Sequence, residues 1–238
     1  MSTEHIVKSF DEDLKKLDNT IAEMGGLAEV QLADAIEALV RRDTELADSV
    51  IASDKKIDAL EAEMDNHATV TLALRQPMAD DLRVTITALR TASLIERIGD
   101  YAKNIAKRSV VLSQSPPLGP TKSIARMATL VQGMIKDVLD AYVSRDVDKA
   151  EAVRARDADA DLLHTSLFRE ILTYMMEDPR NITSCTHLLF VAKNLERVGD
   201  HATNIAENVY YLVNGELPSD EREKSDASSF TVVDPDDK

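Results

Sequence analysis

Two segments of the chain, ERIGDYAKNIA (96–106) and ERVGDHATNIA (196–206), share eight of eleven letters and lie one hundred residues apart. Each carries a glutamate, an aspartate and an asparagine at four-residue intervals: Glu96, Asp100 and Asn104, then Glu196, Asp200 and Asn204. On a helix that spacing puts the three side chains on one face. Carboxylate and amide oxygens are the donors that hard cations such as Mg²⁺, Mn²⁺, Ca²⁺ or ferric iron select. Like charges on neighbouring turns cost about 0.2–0.5 kcal/mol, so something must offset them. Salt bridges at i,i+3, Arg97 to Asp100 and Arg197 to Asp200, are the structural alternative to a bound ion. A glycine inside each segment, Gly99 and Gly199, costs about 1 kcal/mol against alanine and points to close approach by another group.

A second set of acids repeats at an offset of 103. Asp54, Asp58 and Glu61 correspond to Asp157, Asp161 and His164. If the helices carrying the two sets face each other, each half gathers four or five candidate ligands. For Asp54, Asp157 and Asp159 a solvated acidic face is the simpler expectation. For Asp58 and Asp161 both readings stand. His67, His187 and His201 lack the paired spacing of a zinc site, and a lone Cys185 excludes a thiolate cluster. No phosphate-binding glycine loop, nucleophile elbow or cysteine–histidine signature occurs.

Helices must position these groups. Glycine, proline and aromatics are scarce, and apolar residues recur near every 3.6 positions through most of the 238 residues. The breakers divide the chain into six helices, from about Glu4 to Arg41, Asp43 to Leu74, Asp80 to Leu112, Lys122 to Val143, Asp146 to Met176 and Arg180 to Val213. Asp43 is a good N-cap, Gly215 a natural C-cap, and SQSPPLGP (113–120) a linker that cannot continue a helix. Segments 38–60 and 141–163 are identical at ten of 23 positions, so the halves are copies. The expected fold is all-α, two tandem pseudo-symmetric three-helix bundles over 1–116 and 117–214, with an acidic, disordered tail over 215–238. A single six-helix bundle is the alternative.

A formal net charge of −15 argues against a nucleic-acid-binding surface. The single cysteine fits a reducing compartment. With no signal-peptide core and no run of about 18 uncharged apolar residues, a cytoplasmic protein is expected, touching membranes only through partners.

Together, RQPMADDLR (75–83), LIERIGDYAKNIA (94–106), TYMMEDPRNI (173–182), LERVGDHATNIAE (195–207) and YYLVNGE (210–216) resemble the PhoU family, regulators of bacterial high-affinity phosphate uptake. The resemblance covers all but the tail. It implies two three-helix bundles and a metal motif in each repeat, here Glu96 with Asp100 and Glu196 with Asp200. The implied ions are iron, manganese or magnesium. The implied role is negative regulation of phosphate uptake and of the phosphate-starvation response, through the ATPase subunit of the phosphate ABC transporter and a phosphate-sensing membrane histidine kinase. A homodimer and a tail dispensable for metal binding are implied as well. The sequence is thus read as a non-enzymatic metal-binding adaptor. Two alternatives are a di-iron carboxylate oxidoreductase, for which only Asp161-x-x-His164 approaches the required Glu-x-x-His pattern, and a metal-free helical scaffold.

Overall fold

The computed structural model describes residues 3–219 together with Asp226, Ser228 and Thr231, with side chains from Asp11 onward. Most of the expected tail therefore lies outside the described residues. The six expected helical segments are present, and the second segment of each half is interrupted once. In chain order they are α1 (Thr3–Arg41), α2 (Thr44–Ser53), α3 (Lys55–Arg75), α4 (Asp80–Leu112), α5 (Thr121–Ser144), α6 (Val147–Ala155), α7 (Asp157–Glu177) and α8 (Ile182–Asn214), with a single 3₁₀ turn, Pro179–Asn181, before α8.

The first turn of each half is built twice from the same letters. Arg42 and Arg145 take left-handed conformations, with φ of 60° and 57°. The next N–H, of Asp43 or Asp146, reaches back to the carbonyl of Ala38 or Ala141 at 3.0 Å and closes the preceding helix. The same two aspartates then cap α2 and α6, accepting from Leu46 N–H at 3.0 Å and Lys149 N–H at 2.9 Å. One residue pair thus ends one helix and starts the next. At the far end Gly215, with φ of 81°, donates to Tyr211 and caps α8.

Within each half the three segments pack on one another: α1 with α2–α3 and α4, and α5 with α6–α7 and α8. The halves join through α4 against α8 and α1 against α5, and one apolar core runs through both. Helices α4 and α8 run antiparallel about a local pseudo-twofold axis. Tyr101 and His201, equivalent residues of the two repeats, stack on each other with ring centroids 5.5 Å apart. On one side of that pair Asn208 donates to Thr91 at 3.4 Å, and on the other Arg108 lies over the Phe190 ring at 4.2 Å. Gly25 contributes to the α1–α5 contact, because a Cβ there would come within 2.6 Å of Leu139, whereas Gly26 faces open space. The GlyGly pair marks close packing at its first member, and α1 passes through it unbroken.

Candidate cation sites of the two repeats

In the first repeat α3 and α4 bring four carboxylates into electrostatic reach. Glu96 has its carboxyl pushed above the ordinary range by burial and then by the charges of Asp100, Glu61 and Asp58. Burial also raises Glu61, reinforced by Asp65 and Asp58, against a Ser93 hydrogen bond and Arg97. Asp58 is exposed, while Glu61, Glu96 and Asp100 are half-buried. The expected Arg97–Asp100 bridge is not what forms. Arg97 lies 3.7 Å from Glu96, and Asp100 is reached instead by Lys103 at 3.3 Å. Asn104 stands one turn further along α4, half-buried, as Asn204 does on α8.

The second repeat places its counterparts on α7 and α8 in a drier setting. Asp161 is 4% exposed, His164 3% and Glu196 8%. Lys193 approaches Glu196 Oε1 at 2.9 Å, yet Glu196 Oε2 is buried with no hydrogen-bond partner. Burial outweighs the lysine, and the Glu196 carboxyl sits above its ordinary range, with Asp200 adding to the rise. Burial alone would lower Lys193, but bonding to Glu196 and attraction to Glu196 and Asp226 carry it upward. Thus both members of the Glu–Lys pair are shifted up, because desolvation acts on the glutamate more strongly than its single bond does.

Asp54 and Asp157 depart from expectation. Each was expected on a solvated acidic face, and each is 2% exposed, whereas Asp159 is exposed as expected. Asp54 and the residue just before Asp157, Arg156, sit at the one-residue interruptions between α2 and α3 and between α6 and α7. Both nonetheless lie in helical register with buried apolar neighbours, Asp54 with Val50 and Ile57, and Asp157 with Val153 and Ala160. Asp54 accepts from Gln31 Nε2 at 3.1 Å and from the Lys103 ammonium in a short contact. Asp157 accepts from Thr203 Oγ1 at 3.1 Å. Their identity in the repeat alignment was the available signal. The role of Lys193 was also open to notice, three residues before Glu196 on the same helix.

Gly99 and Gly199 separate as well. A Cβ on Gly99 would meet Ile57 Cδ1 at 3.0 Å, with Gln31 Oε1 at 3.5 Å, so close approach is real there. On Gly199 the nearest atom would be Ala160 Cβ at an ordinary 3.7 Å. The three histidines that lack zinc-site spacing each meet a protein partner: His67 Nε2 lies 3.1 Å from the Asp13 carbonyl, His187 Nδ1 3.3 Å from Arg108, and His201 stacks on Tyr101.

Among the described residues, no three His, Cys, Asp or Glu side chains gather tightly enough to hold an ion with their present rotamers. The donor chemistry nevertheless suits a hard cation. Four crowded carboxylates in the first repeat lack a matching number of cations, and the orphaned Glu196 Oε2 in the second is a buried acceptor in want of a partner.

Known proteins share this architecture and sequence. The PhoU domain family matches residues 21–109 and 124–209, one match per repeat. The chain is 51% identical over 228 residues to the phosphate-specific transport system accessory protein PhoU homolog of Caulobacter vibrioides, covering 95% of this chain and 99% of that one. It is 51% identical over 230 residues to the homolog of the same name from Rhizobium meliloti, covering 96% and 97%. The crystal structure of PhoU from Pseudomonas aeruginosa superposes with a TM-score of 0.84 at 38% identity, covering 87% of this chain and 100% of that one. The phosphate transport system regulatory protein PhoU from Streptococcus pneumoniae superposes with a TM-score of 0.80 at 29% identity, covering 88% and 99%.

Proposed function

The chain belongs to the PhoU family, and from that membership we propose that it is an accessory protein of a phosphate-specific transport system that works as a cation-loaded, non-enzymatic adaptor. Among the described residues no helix is long and apolar enough to cross a membrane, and in this reading the chain meets the transporter through surface contacts. The partners we assign are the transporter's ATPase subunit and a phosphate-sensing membrane histidine kinase. The protein would act in the cytoplasm, as a homodimer, damping uptake and the starvation response when phosphate is plentiful.

The observation that carries the cation part is the crowding around Glu96, where burial first and then three further carboxylates, Asp100, Glu61 and Asp58, raise its affinity for a proton. A group that holds a proton too tightly because of like-charged neighbours would gain as much from a bound cation. Glu96, Asp100, Glu61 and Asp58 would hold an ion in the first repeat, with Asn104 close by. Glu196, Asp200, Asp161 and His164 would do so in the second, with Asn204. An ion there supplies positive charge and open positions for water or a partner's acidic group. The chain's own part is to hold the carboxylates on facing helices, from which their side chains would turn toward an ion.

Elemental analysis of protein purified without chelator tests this, run beside the E96A/D100A/E196A/D200A variant. We expect iron, manganese or magnesium in the parent and a loss of most of it in a variant that keeps its helical circular dichroism. A phosphate-repressed reporter should lose repression in the same variant. Equal metal content in both, with repression intact, would overturn the cation reading and leave only the accessory role.

A further inference from the structure

One exchange between the repeats would matter to a bound ion: His164 stands where the first repeat has Glu61. A carboxylate can ligate through either oxygen. An imidazole ligates only through a nitrogen free of a proton, and which nitrogen that is depends on what the other one bonds. His164 is 3% exposed, so bulk water does not set its ring. Its Nδ1 lies 3.4 Å from Oδ1 of Asp226, a residue that follows α8 by twelve positions.

Asp226 is itself tied to the same site. Its backbone N–H donates to Asp161 Oδ2 at 3.1 Å. Its Oδ1 also accepts from Thr165 Oγ1 at 3.4 Å and from Ser228 N–H at 2.9 Å. Its Oδ2 lies 3.5 Å from Nζ of Lys193, the lysine that holds Glu196. Two candidate ligands and the lysine of a third therefore converge on one tail residue.

We propose that Asp226 is a positioning residue of the second repeat's site, accepting from Nδ1–H of His164 so that the ring keeps one tautomer and presents the Nε2 lone pair to a cation shared with Glu196. The same Oδ1 accepts from Thr165 Oγ1 and Ser228 N–H, which fixes the carboxylate where the ring nitrogen meets it. Glu196 Oε2, buried and without a hydrogen-bond partner, is the oxygen left for such a cation. Glu61 has no tautomer to set, so the first repeat needs no such residue. The tail, implied by resemblance to be dispensable for metal binding, thus contributes Asp226 to the second repeat's site. The tautomer stands on the ring geometry, and only its consequence for an ion rests on the cation-binding reading above.

Long-range ¹H–¹⁵N spectra of the chelator-treated full chain, at a pH where the imidazole is neutral, read the His164 tautomer without any metal. The parent should show Nδ1–H. D226A should move to Nε2–H or to a mixture, and D226E should restore the parent pattern. A Mn²⁺ titration followed by the electron paramagnetic resonance of free ion, in an E96A/D100A background, isolates the second repeat. There D226A should weaken Mn²⁺ binding by about ten- to a hundredfold, with D226E between. The same tautomer in parent and D226A overturns the proposal. So does an unchanged Mn²⁺ affinity in a background that binds the ion. If that background binds no Mn²⁺ at all, the cation reading fails for this repeat, while the spectra still decide whether Asp226 sets the ring.

Discussion

In the first repeat Asp58 is exposed, Glu61, Glu96 and Asp100 are half-buried, and Ser93 occupies the place that Lys193 holds in the second. In the second repeat Asp161, His164 and Glu196 are all buried, with Lys193 on one glutamate oxygen and Asp226 across the histidine. The same helices, descended from one unit, thus carry an open cluster of acids in one copy and a closed, partly neutralised one in the other. Charge left unmatched at the surface can be met by solvent ions. Charge taken inside has to be met by the chain. The buried aspartates follow the same logic with the copies exchanged: Asp54 is held by Lys103 and Gln31, whereas position 203, equivalent to Lys103, is a threonine that bonds Asp157.

That last pair gives the largest expected difference. Lys103→Met leaves Asp54 buried without its cation and should destabilise the chain by about 3 kcal/mol. Thr203→Val removes one neutral donor from Asp157 and should cost about 1 kcal/mol. Urea unfolding of both variants measures the contrast. Equal losses would mean that the two aspartates are solvated alike and that the repeats do not differ as described.

The glycines come next. Gly199→Ala should stabilise by about 0.8 kcal/mol, since alanine suits a helix interior and the added methyl meets only ordinary contacts. Gly99→Ala should gain close to nothing, because the methyl must push the end of Ile57 aside. The reason lies in one exchange, Ile57 in the first repeat for Ala160 in the second. Shortening that side chain should release the difference, so Ile57→Val beside Gly99→Ala sharpens the test. Parallel gains for both glycines in the parent background would break it.

The smallest effect is on pH dependence, in chelator-treated protein. Glu96 is raised by burial and by Asp100, and Glu196 by burial despite Lys193, each above its ordinary 4.5. A carboxyl raised on folding binds its proton more tightly in the folded chain, so stability falls as pH climbs from 4.5 through the raised value. The melting temperature should therefore be higher near pH 5 than near pH 7.5, by at most about 3 °C. E196Q should flatten that slope more than E96Q, because Glu196 is the deeper group. Below the ordinary aspartate range the trend reverses. Asp226, held at about 2, contributes stability that is lost as pH falls toward that value. Identical slopes for parent and both glutamine variants would remove the glutamates from the account.

Much of this molecule was legible before any coordinates. The helix ends follow from neighbours in sequence: Asp43 and Gly215 cap through atoms within four residues, and the prolines of 113–120 stop α4 by removing donors. The repeat showed which acids come in matched sets, and the facing of α3 with α4 and of α7 with α8 then followed from short connections. Other features depended on contacts that sequence spacing does not encode. Lys103 meets Asp54 across 49 residues, and Asp226 meets Asp161 across 65. Residue type assigns an aspartate to a polar face, yet Asp54 lies in register with Val50 and Ile57 on the buried stripe, where partners from other helices, Gln31 and Lys103, make its charge tolerable. By itself the sequence determined an all-helical duplicated chain with paired acids, because helix periodicity and capping are local. Which acids are buried, which cation each one meets, and that a tail residue reaches the second repeat's site were decided by tertiary structure, because desolvation and ion pairing depend on what the fold brings from far along the chain.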